Sequence, residues 1–182
     1  MLIGVIVLAA VAVFATLSAD DGGTTAEPPP NSKATSVAGV ATAGTKAPDF
    51  DLPRLRGDGN VKLADLRGTP VIINFWASWC VPCRKEFPLF QKTQTEYRAD
   101  GLEIVGITYK DLTGDARDFA RDQKANWILA EGGDGDPVAK EYGVRAIPQT
   151  FFIARDGTIS ARYYGAPSGE RFDAEVRTII SS

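Results

Sequence analysis

"FWASWCVPCRKEFP", residues 75–88, contains Cys80 and Cys83, the two cysteines of the chain. The apolar run "PVIINFWA", which ends just before the first cysteine, predicts a strand buried on both faces of a sheet. After the pair, aromatic residues recur at near-helical spacing, which predicts a helix. These residues are Phe87, Phe90 and Tyr97. The sequence therefore predicts the cysteine pair at a junction between a buried strand and a helix.

This position favours redox chemistry at the pair. The partial positive charge and unpaired N–H groups of a helix N-terminus stabilise a thiolate on Cys80. Cys83 lies one turn further along, where its side chain can reach back to Cys80. Pro82 stands at an early helical position that needs no N–H donor, and Trp79 offers an apolar surface to another protein.

Two other uses of the cysteines are open from the residues alone. A structural disulfide closing so short a loop contributes little chain-entropy stabilisation to a chain of 182 residues. A zinc site needs four ligands, and the chain has no second cysteine pair and no histidine.

Composition excludes several other classes of function. The chain is 44% hydrophobic and 24% charged, which suits a packed domain. With a net charge of −3 and no basic run, it gives no electrostatic case for nucleic acid. The absence of histidine excludes Ser-His-Asp and Cys-His catalysis.

Three segments follow one another along the chain. Residues 1–19 are apolar without a charged side chain, which predicts a membrane anchor or signal segment. Residues 20–44 are rich in Gly, Pro, Ser, Thr and Ala, which predicts a flexible linker. Residues 45–182 carry the globular pattern, and Asp20 and Asp21 mildly favour translocation of this part across the membrane.

The globular part predicts an α/β fold. "APDFDLPRL" and "NVKLADL" flank the turn-rich "RGDGN", which indicates an N-terminal β-hairpin. Strands and helices then alternate, and a second hairpin around "RDG" and a final amphipathic helix close the chain. This order predicts a mixed central sheet with helices on both faces.

Together these motifs resemble the thioredoxin superfamily, most of all the membrane-tethered thiol–disulfide oxidoreductases of the ResA/TlpA/CcmG type. "NFWASWCVPCRKEFP" is similar to their active-site segment, and "GVRAIPQTFFIARDGTI" to their cis-proline loop and hairpin. "GVRAIPQ" in place of the "GVYGAPE" usual in CcmG-type proteins leans toward the ResA/TlpA side. The resemblance covers residues 45–182 and implies a thioredoxin-like fold with an added N-terminal hairpin.

The resemblance also implies roles for individual residues. Cys80 would be the exposed nucleophile that attacks a substrate disulfide, and Cys83 the resolving thiol that releases the mixed disulfide. Ile147–Pro148 would be a cis peptide bond facing the cysteines, beside which a substrate segment adds as a short strand. Trp79, Pro82 and Ile147 would contact the substrate.

Two polar residues near the pair have different expected roles. Asn74 occupies the position of a buried aspartate in thioredoxin and cannot transfer protons. Glu86, three residues after Cys83, matches a glutamate of the ResA group and would disfavour the thiolates and accept a proton. The alternative is that Glu86 is a solvated helix carboxylate.

The resemblance implies a protein-disulfide reductase on the extracytoplasmic side of the membrane. Its substrate would be a disulfide-bearing protein such as apocytochrome c, and its electrons would come from a membrane carrier of the CcdA/DsbD type. No cofactor or metal is expected beyond the redox-active Cys80–Cys83 disulfide. The alternatives are a dithiol oxidase of the same fold, a thiol peroxidase sharing the "APDF" opening of peroxiredoxins, and a metallochaperone.

Overall fold

The computed structural model describes residues 41–133, 135–167 and 169–182. Their helices and strands follow the predicted order, and two 3₁₀ turns, Leu63–Leu66 and Arg98–Asp100, lie between them. The strands are β1 (Asp51–Pro53), β2 (Asn60–Lys62), β3 (Val71–Trp76), β4 (Glu103–Thr108), β5 (Ile128–Ala130), β6 (Gln149–Ile153) and β7 (Ile159–Tyr164). The helices are α1 (Val81–Tyr97), α2 (Thr113–Asp122), α3 (Pro137–Glu141) and α4 (Gly169–Ser181).

The predicted anchor and nearly all of the predicted linker lie outside the described residues, so these boundaries stay predictions. Within the part of the chain that the structure describes, no helix combines the length and apolar character needed to cross a membrane.

Strand β3 is the centre of a five-stranded sheet with the order β5-β4-β3-β6-β7. It pairs in parallel with β4, from Val71 opposite Glu103 to Trp76 opposite Thr108. On its other side it pairs antiparallel with β6, where Phe75 lies opposite Gln149. The C-terminal end of β3 and the N-terminal end of β6 therefore meet at one end of the sheet, as the mixed topology requires.

Each face of the sheet carries its own hydrophobic core, as predicted for helices on both faces. Even-numbered β3 residues such as Ile72 and Trp76 face the core formed with α1, α2 and α4. Odd-numbered residues such as Ile73 and Phe75 face the core formed with α3 and the β1–β2 hairpin. All six β3 residues are buried, because layers of side chains cover the strand on both faces.

The predicted N-terminal hairpin is confirmed, with β1 antiparallel to β2. The residues after β1 run along the outer edge of β5. Leu55 N–H donates to Leu129 O at 2.8 Å, and Glu131 N–H donates to Pro53 O at 2.9 Å. The hairpin therefore covers one edge of the central sheet.

Gly106, in the middle of β4, has no room for a side chain. A Cβ there would lie 2.7 Å from Leu129 Cδ2 and 3.0 Å from Trp76 Nε1. We expect Gly106→Ala to lower the free energy of unfolding by about 1–3 kcal/mol, because the buried neighbours must move. Urea denaturation of the purified protein measures this loss.

Gly114→Ala is the matched control, because Gly114 is exposed in α2 and a Cβ there meets nothing within 4 Å. It should leave the stability unchanged or raise it by up to about 1 kcal/mol. Equal effects of the two substitutions would contradict the packing that we describe around β4.

Candidate active site

The two cysteines lie where the sequence predicts, at the junction of β3 and α1. Cys80 is the N-cap of α1, and Cys83 lies in its first turn. They form a disulfide with an S–S distance of 1.99 Å and a Cα–Cα distance of 5.3 Å. Cys83 N–H donates to Cys80 Sγ at 3.3 Å, so the sulfur accepts from an N–H at the helix N-terminus. Pro82 occupies the first turn, as predicted.

The prediction of an exposed Cys80 is wrong for this disulfide-bonded state. Cys80 retains 4% of its accessible surface and Cys83 retains none. Of the two residues, only Cys80 keeps any accessible surface. Both belong to the core beneath α1, which also includes Trp76 and Phe87 and shields the disulfide from solvent.

Trp79 is the main exposed apolar group beside the disulfide. The side chain is 57% exposed, and Val81 on the other side of Cys80 is 61% exposed. The indole N–H of Trp79 donates to Lys110 O at 3.0 Å, which fixes the ring although it faces solvent. These two side chains therefore form an apolar surface on either side of Cys80.

The peptide bond Ile147–Pro148 is cis, as the resemblance implies. Pro148 immediately precedes β6, at the end of the sheet where the cysteine segment leaves β3. Ile147 is partly buried and packs against the core that contains both cysteines. The fold thus brings this loop and the disulfide to the same end of the sheet.

A hydrogen-bond network holds the loop before β6. Arg162 in β7 donates to Gln149 Oε1 at 2.6 and 3.1 Å and to Gly143 O at 2.8 Å. Gln149 in turn donates to Ala146 O at 2.7 Å. Sequence analysis missed Arg162, whose signal was a single cation inside a strand of otherwise uncharged residues.

Glu86 is buried, so the interpretation as a solvated carboxylate is wrong. The residue retains 2% of its accessible surface and lies on the buried side of α1 with Cys83 and Phe87. Neither carboxyl oxygen has a hydrogen-bond partner among the described residues. Loss of solvation raises the pKa of Glu86 to about 8, although the nearby Asn74 amide acts to lower it.

Asn74 lies under the same helix. It is the one polar residue of β3, and its amide donates to Thr150 Oγ1 on β6 at 3.2 Å. Both residues are buried. The Asn74 amide also acts on the Glu86 carboxyl and lowers its pKa; that Glu86 rather than Asn74 tunes Cys83 stays a prediction.

Ser78 and Asp111 form a further contact that sequence analysis missed. Asp111 lies in the loop after β4 and accepts from Ser78 N–H at 2.5 Å and from Ser78 Oγ–H at 2.9 Å. An aspartate in a loop carries no pattern that points to a partner 33 positions earlier. The contact ties the turn before Cys80 to the neighbouring loop.

Glu86 should make the stability of the oxidised protein depend on pH. Its carboxyl stays protonated in the folded state up to about pH 8, but ionises above about pH 4.5 in the unfolded chain. Unfolding therefore releases a proton between these values, and stability falls as pH rises through this window. We expect a loss of up to about 4 kcal/mol between pH 5 and pH 8.

Urea denaturation of wild type and Glu86→Gln across this pH range measures the effect. The variant should match wild type near pH 5 and exceed it near pH 8, because its amide does not ionise. Parallel pH profiles for the two proteins would show that the carboxyl is not held neutral.

Residues 43–162 of this chain match the AhpC/TSA family. Among curated proteins, the chain is 35% identical over 122 residues to the thiol:disulfide interchange protein DsbE of Pseudomonas fluorescens, covering 67% of this chain and 66% of that protein. It is 29% identical over 136 residues to the thiol-disulfide oxidoreductase ResA of Bacillus thuringiensis, covering 75% and 78%.

Among solved structures, a candidate thiol:disulfide interchange protein DsbE from Chlorobium tepidum superposes with a TM-score of 0.71 at 34% identity. The match covers 78% of this chain and 99% of that one. This likeness confirms the predicted thioredoxin-like fold with its mixed central sheet.

The chain therefore belongs to the AhpC/TSA family and, within it, to the thiol–disulfide oxidoreductases. Relatives named DsbE and relatives named ResA both match it. The comparisons confirm the predicted resemblance to this group of thiol–disulfide oxidoreductases. They do not single out the ResA members, to which the loop sequence "GVRAIPQ" pointed.

Proposed function

We propose that the protein is an extracytoplasmic reductase of protein disulfides that uses the Cys80–Cys83 couple. The observation that carries this proposal is the buried, unpartnered carboxyl of Glu86 on the same side of α1 as Cys83. The pKa of this carboxyl is about 8, so it begins to ionise near neutral pH, and the charged form one helical turn from Cys83 disfavours a thiolate there and favours the disulfide form of the couple. A couple that favours its disulfide gives its electrons to substrates.

The reaction begins with the dithiol form. The Cys80 thiolate attacks one sulfur of the substrate disulfide, forms a mixed disulfide and releases the other substrate sulfur as a thiolate. Cys83 then loses its proton and attacks Cys80 Sγ, which releases the second substrate thiolate and closes the Cys80–Cys83 bond. The couple has given two electrons to the substrate, and an external dithiol must restore it.

Glu86 is the proposed acceptor of the Cys83 proton. It stands one helical turn after Cys83, and both are buried on one side of α1. A carboxyl whose pKa is about 8 can take up and release a proton near neutral pH. Its burial also keeps bulk water from competing as the acceptor.

Trp79, Pro82, Ile147 and Pro148 are the proposed substrate contacts. The exposed Trp79 ring offers apolar area next to Cys80, and the loop before β6 lies at the same end of the sheet. A substrate segment with a disulfide fits between these two features as an added short strand. The proposed substrate class is a disulfide-bearing protein such as apocytochrome c.

The location and the electron donor are also proposals. The apolar segment 1–19 supports a membrane anchor with the catalytic domain on the outer side, where disulfides form and persist. A reductase there needs a supply of electrons across the membrane, which a carrier of the CcdA/DsbD type would provide. No further cofactor is needed, since the redox group is the disulfide itself.

The reduction potential of the couple distinguishes a reductase from a dithiol oxidase. Equilibration of the purified protein with glutathione, followed by trapping of the thiols, measures it. We expect a value near that of thioredoxin, about −270 mV. A value near that of DsbA, about −120 mV, would overturn the proposed direction and make the protein an oxidase.

Replacing the Glu86 carboxyl tests its proposed role in proton transfer. We expect Glu86→Gln to slow release of the mixed disulfide at least about tenfold, since the acceptor is lost. Stopped-flow kinetics with a disulfide-bonded peptide measure this step. Glu96→Gln, an exposed position on the same helix, is the matched control and should behave as wild type.

If Glu86→Gln changes neither the exchange rate nor the potential, Glu86 has no part in the reaction.

A further inference from the structure

Asp111 binds the turn that leads into Cys80. Its two carboxyl oxygens accept from the backbone N–H and the hydroxyl of Ser78, at 2.5 and 2.9 Å. The turn continues to Cys80, whose N–H donates to Ala77 O at 3.2 Å. A single side chain from the loop after β4 thus holds the backbone two residues before Cys80.

The loop that carries Asp111 is itself fixed on two sides. Lys110 O accepts the Trp79 indole N–H at 3.0 Å, and Lys110 N–H donates to the buried Asp136 carboxylate at 3.3 Å. Lys110 adopts a positive φ of 48°, which is uncommon for a residue with a side chain. These contacts leave the Asp111 carboxylate little freedom to move away from Ser78.

Close packing beneath this loop fixes it further. Gly132 N–H donates to Thr108 Oγ1 at 3.0 Å, and a Cβ on Gly132 would lie only 2.0 Å from Thr108 O. The backbone after β5 is therefore in direct contact with the end of β4, just before Lys110. These backbone contacts lie within the protein itself, so they fix the position of Asp111 without a bound substrate.

The charge of Asp111 stands near the disulfide. The hydrogen bond from Cys80 N–H to Ala77 O closes a tight turn, and the end Cα atoms of such a turn are less than about 7 Å apart. The Asp111 carboxylate contacts Ser78 inside this turn, so it lies within roughly 10 Å of Cys80 Sγ. Asp111 forms no ion pair among the described residues. Two nearby cations form cation–π contacts with aromatic rings. The Lys110 ammonium lies 5.0 Å from the centre of the Tyr109 ring, and the Arg84 guanidinium lies 4.9 Å from the centre of the Phe119 ring.

We propose that Asp111 is a positioning residue for the Cys80–Cys83 couple, which fixes the Ser78–Trp79 turn and places one negative charge beside the N-terminus of α1. This charge opposes the thiolate of Cys80 and so favours the disulfide form. The inference rests on the proposed function of the couple, and it adds the partly exposed carboxylate of Asp111 to the effect of the buried Glu86.

The expected effect follows from the distance and from solvent screening. A charge about 10 Å away, near the surface and partly screened by salt, changes the equilibrium constant of such a reaction about three- to tenfold. The reaction measured is the reduction of the Cys80–Cys83 disulfide by glutathione. Two glutathione molecules give two electrons and two protons to the Cys80–Cys83 bond and leave as glutathione disulfide.

Asp111→Asn separates charge from structure, because the amide oxygen can still accept from the Ser78 N–H and the amide NH2 can donate to Ser78 Oγ, while the charge is lost. We expect the glutathione equilibrium of the purified protein to shift about three- to tenfold toward the dithiol, which is about 15–30 mV. Alkylation of Cys80 by iodoacetamide at pH 6.5 should become faster, because more thiolate is present.

Three other variants complete the test. Ser78→Ala keeps the charge and should leave the equilibrium within about twofold of wild type, while hydrogen exchange in residues 76–80 becomes faster. Asp111→Ala should show both the equilibrium shift and the faster exchange. Asp58→Asn removes the same charge from the exposed hairpin loop and should change neither.

An equilibrium for Asp111→Asn within twofold of wild type, or equal to that of Asp58→Asn, would overturn the inference. The two proposals fail separately. The proposed direction of electron flow depends on the absolute potential of wild type, whereas the role of Asp111 depends on the difference between variants.

Discussion

The rest of the structure depends on the burial of β3 on both faces. Its six residues pair with β4 on one side and β6 on the other, and two separate cores cover the two faces. Because the pairing is parallel on one side and antiparallel on the other, three features arrive at one end of the sheet. These are the cysteine segment that leaves β3, the loop that leaves β4 and the proline that precedes β6. A strand on the sheet edge could not bring them together.

The electrostatics of the site combine opposing influences on the sulfurs. The N-terminus of α1 favours a thiolate on Cys80, whereas the buried carboxyl of Glu86 resists added negative charge beneath the same helix. Glu86 lies in a dry environment, and its effect changes with its protonation near neutral pH. Asp111 lies at the solvent side, where salt weakens its field. Under both proposals, the balance of these groups, rather than the cysteine pair alone, determines which redox form the couple prefers.

Local patterns account for what the sequence could predict. The apolar run of β3, the aromatic spacing of α1 and the turn residues of both hairpins correctly placed these elements. Burial that depends on distant segments could not be predicted. Glu86 follows Arg84 and Lys85 in a polar run, and only the packing of α1 on the sheet shows that its carboxyl has left water. The contact of Asp111 with Ser78 joins loops whose proximity exists only once β3 and β4 are paired in register.

The segment before and within the N-terminal hairpin has a consequence for how the protein handles its substrates. Residues 53–55 pair along the outer edge of β5, and Thr45 and Gly44 pair with Ile159 at the start of β7. Open strand edges act as templates for aggregation with other extended chains. A protein that exchanges disulfides meets incompletely folded polypeptides, whose exposed segments would join such an edge. Because its own chain occupies these parts of both edges, the sheet offers the proposed polypeptide substrates less open strand on which to aggregate.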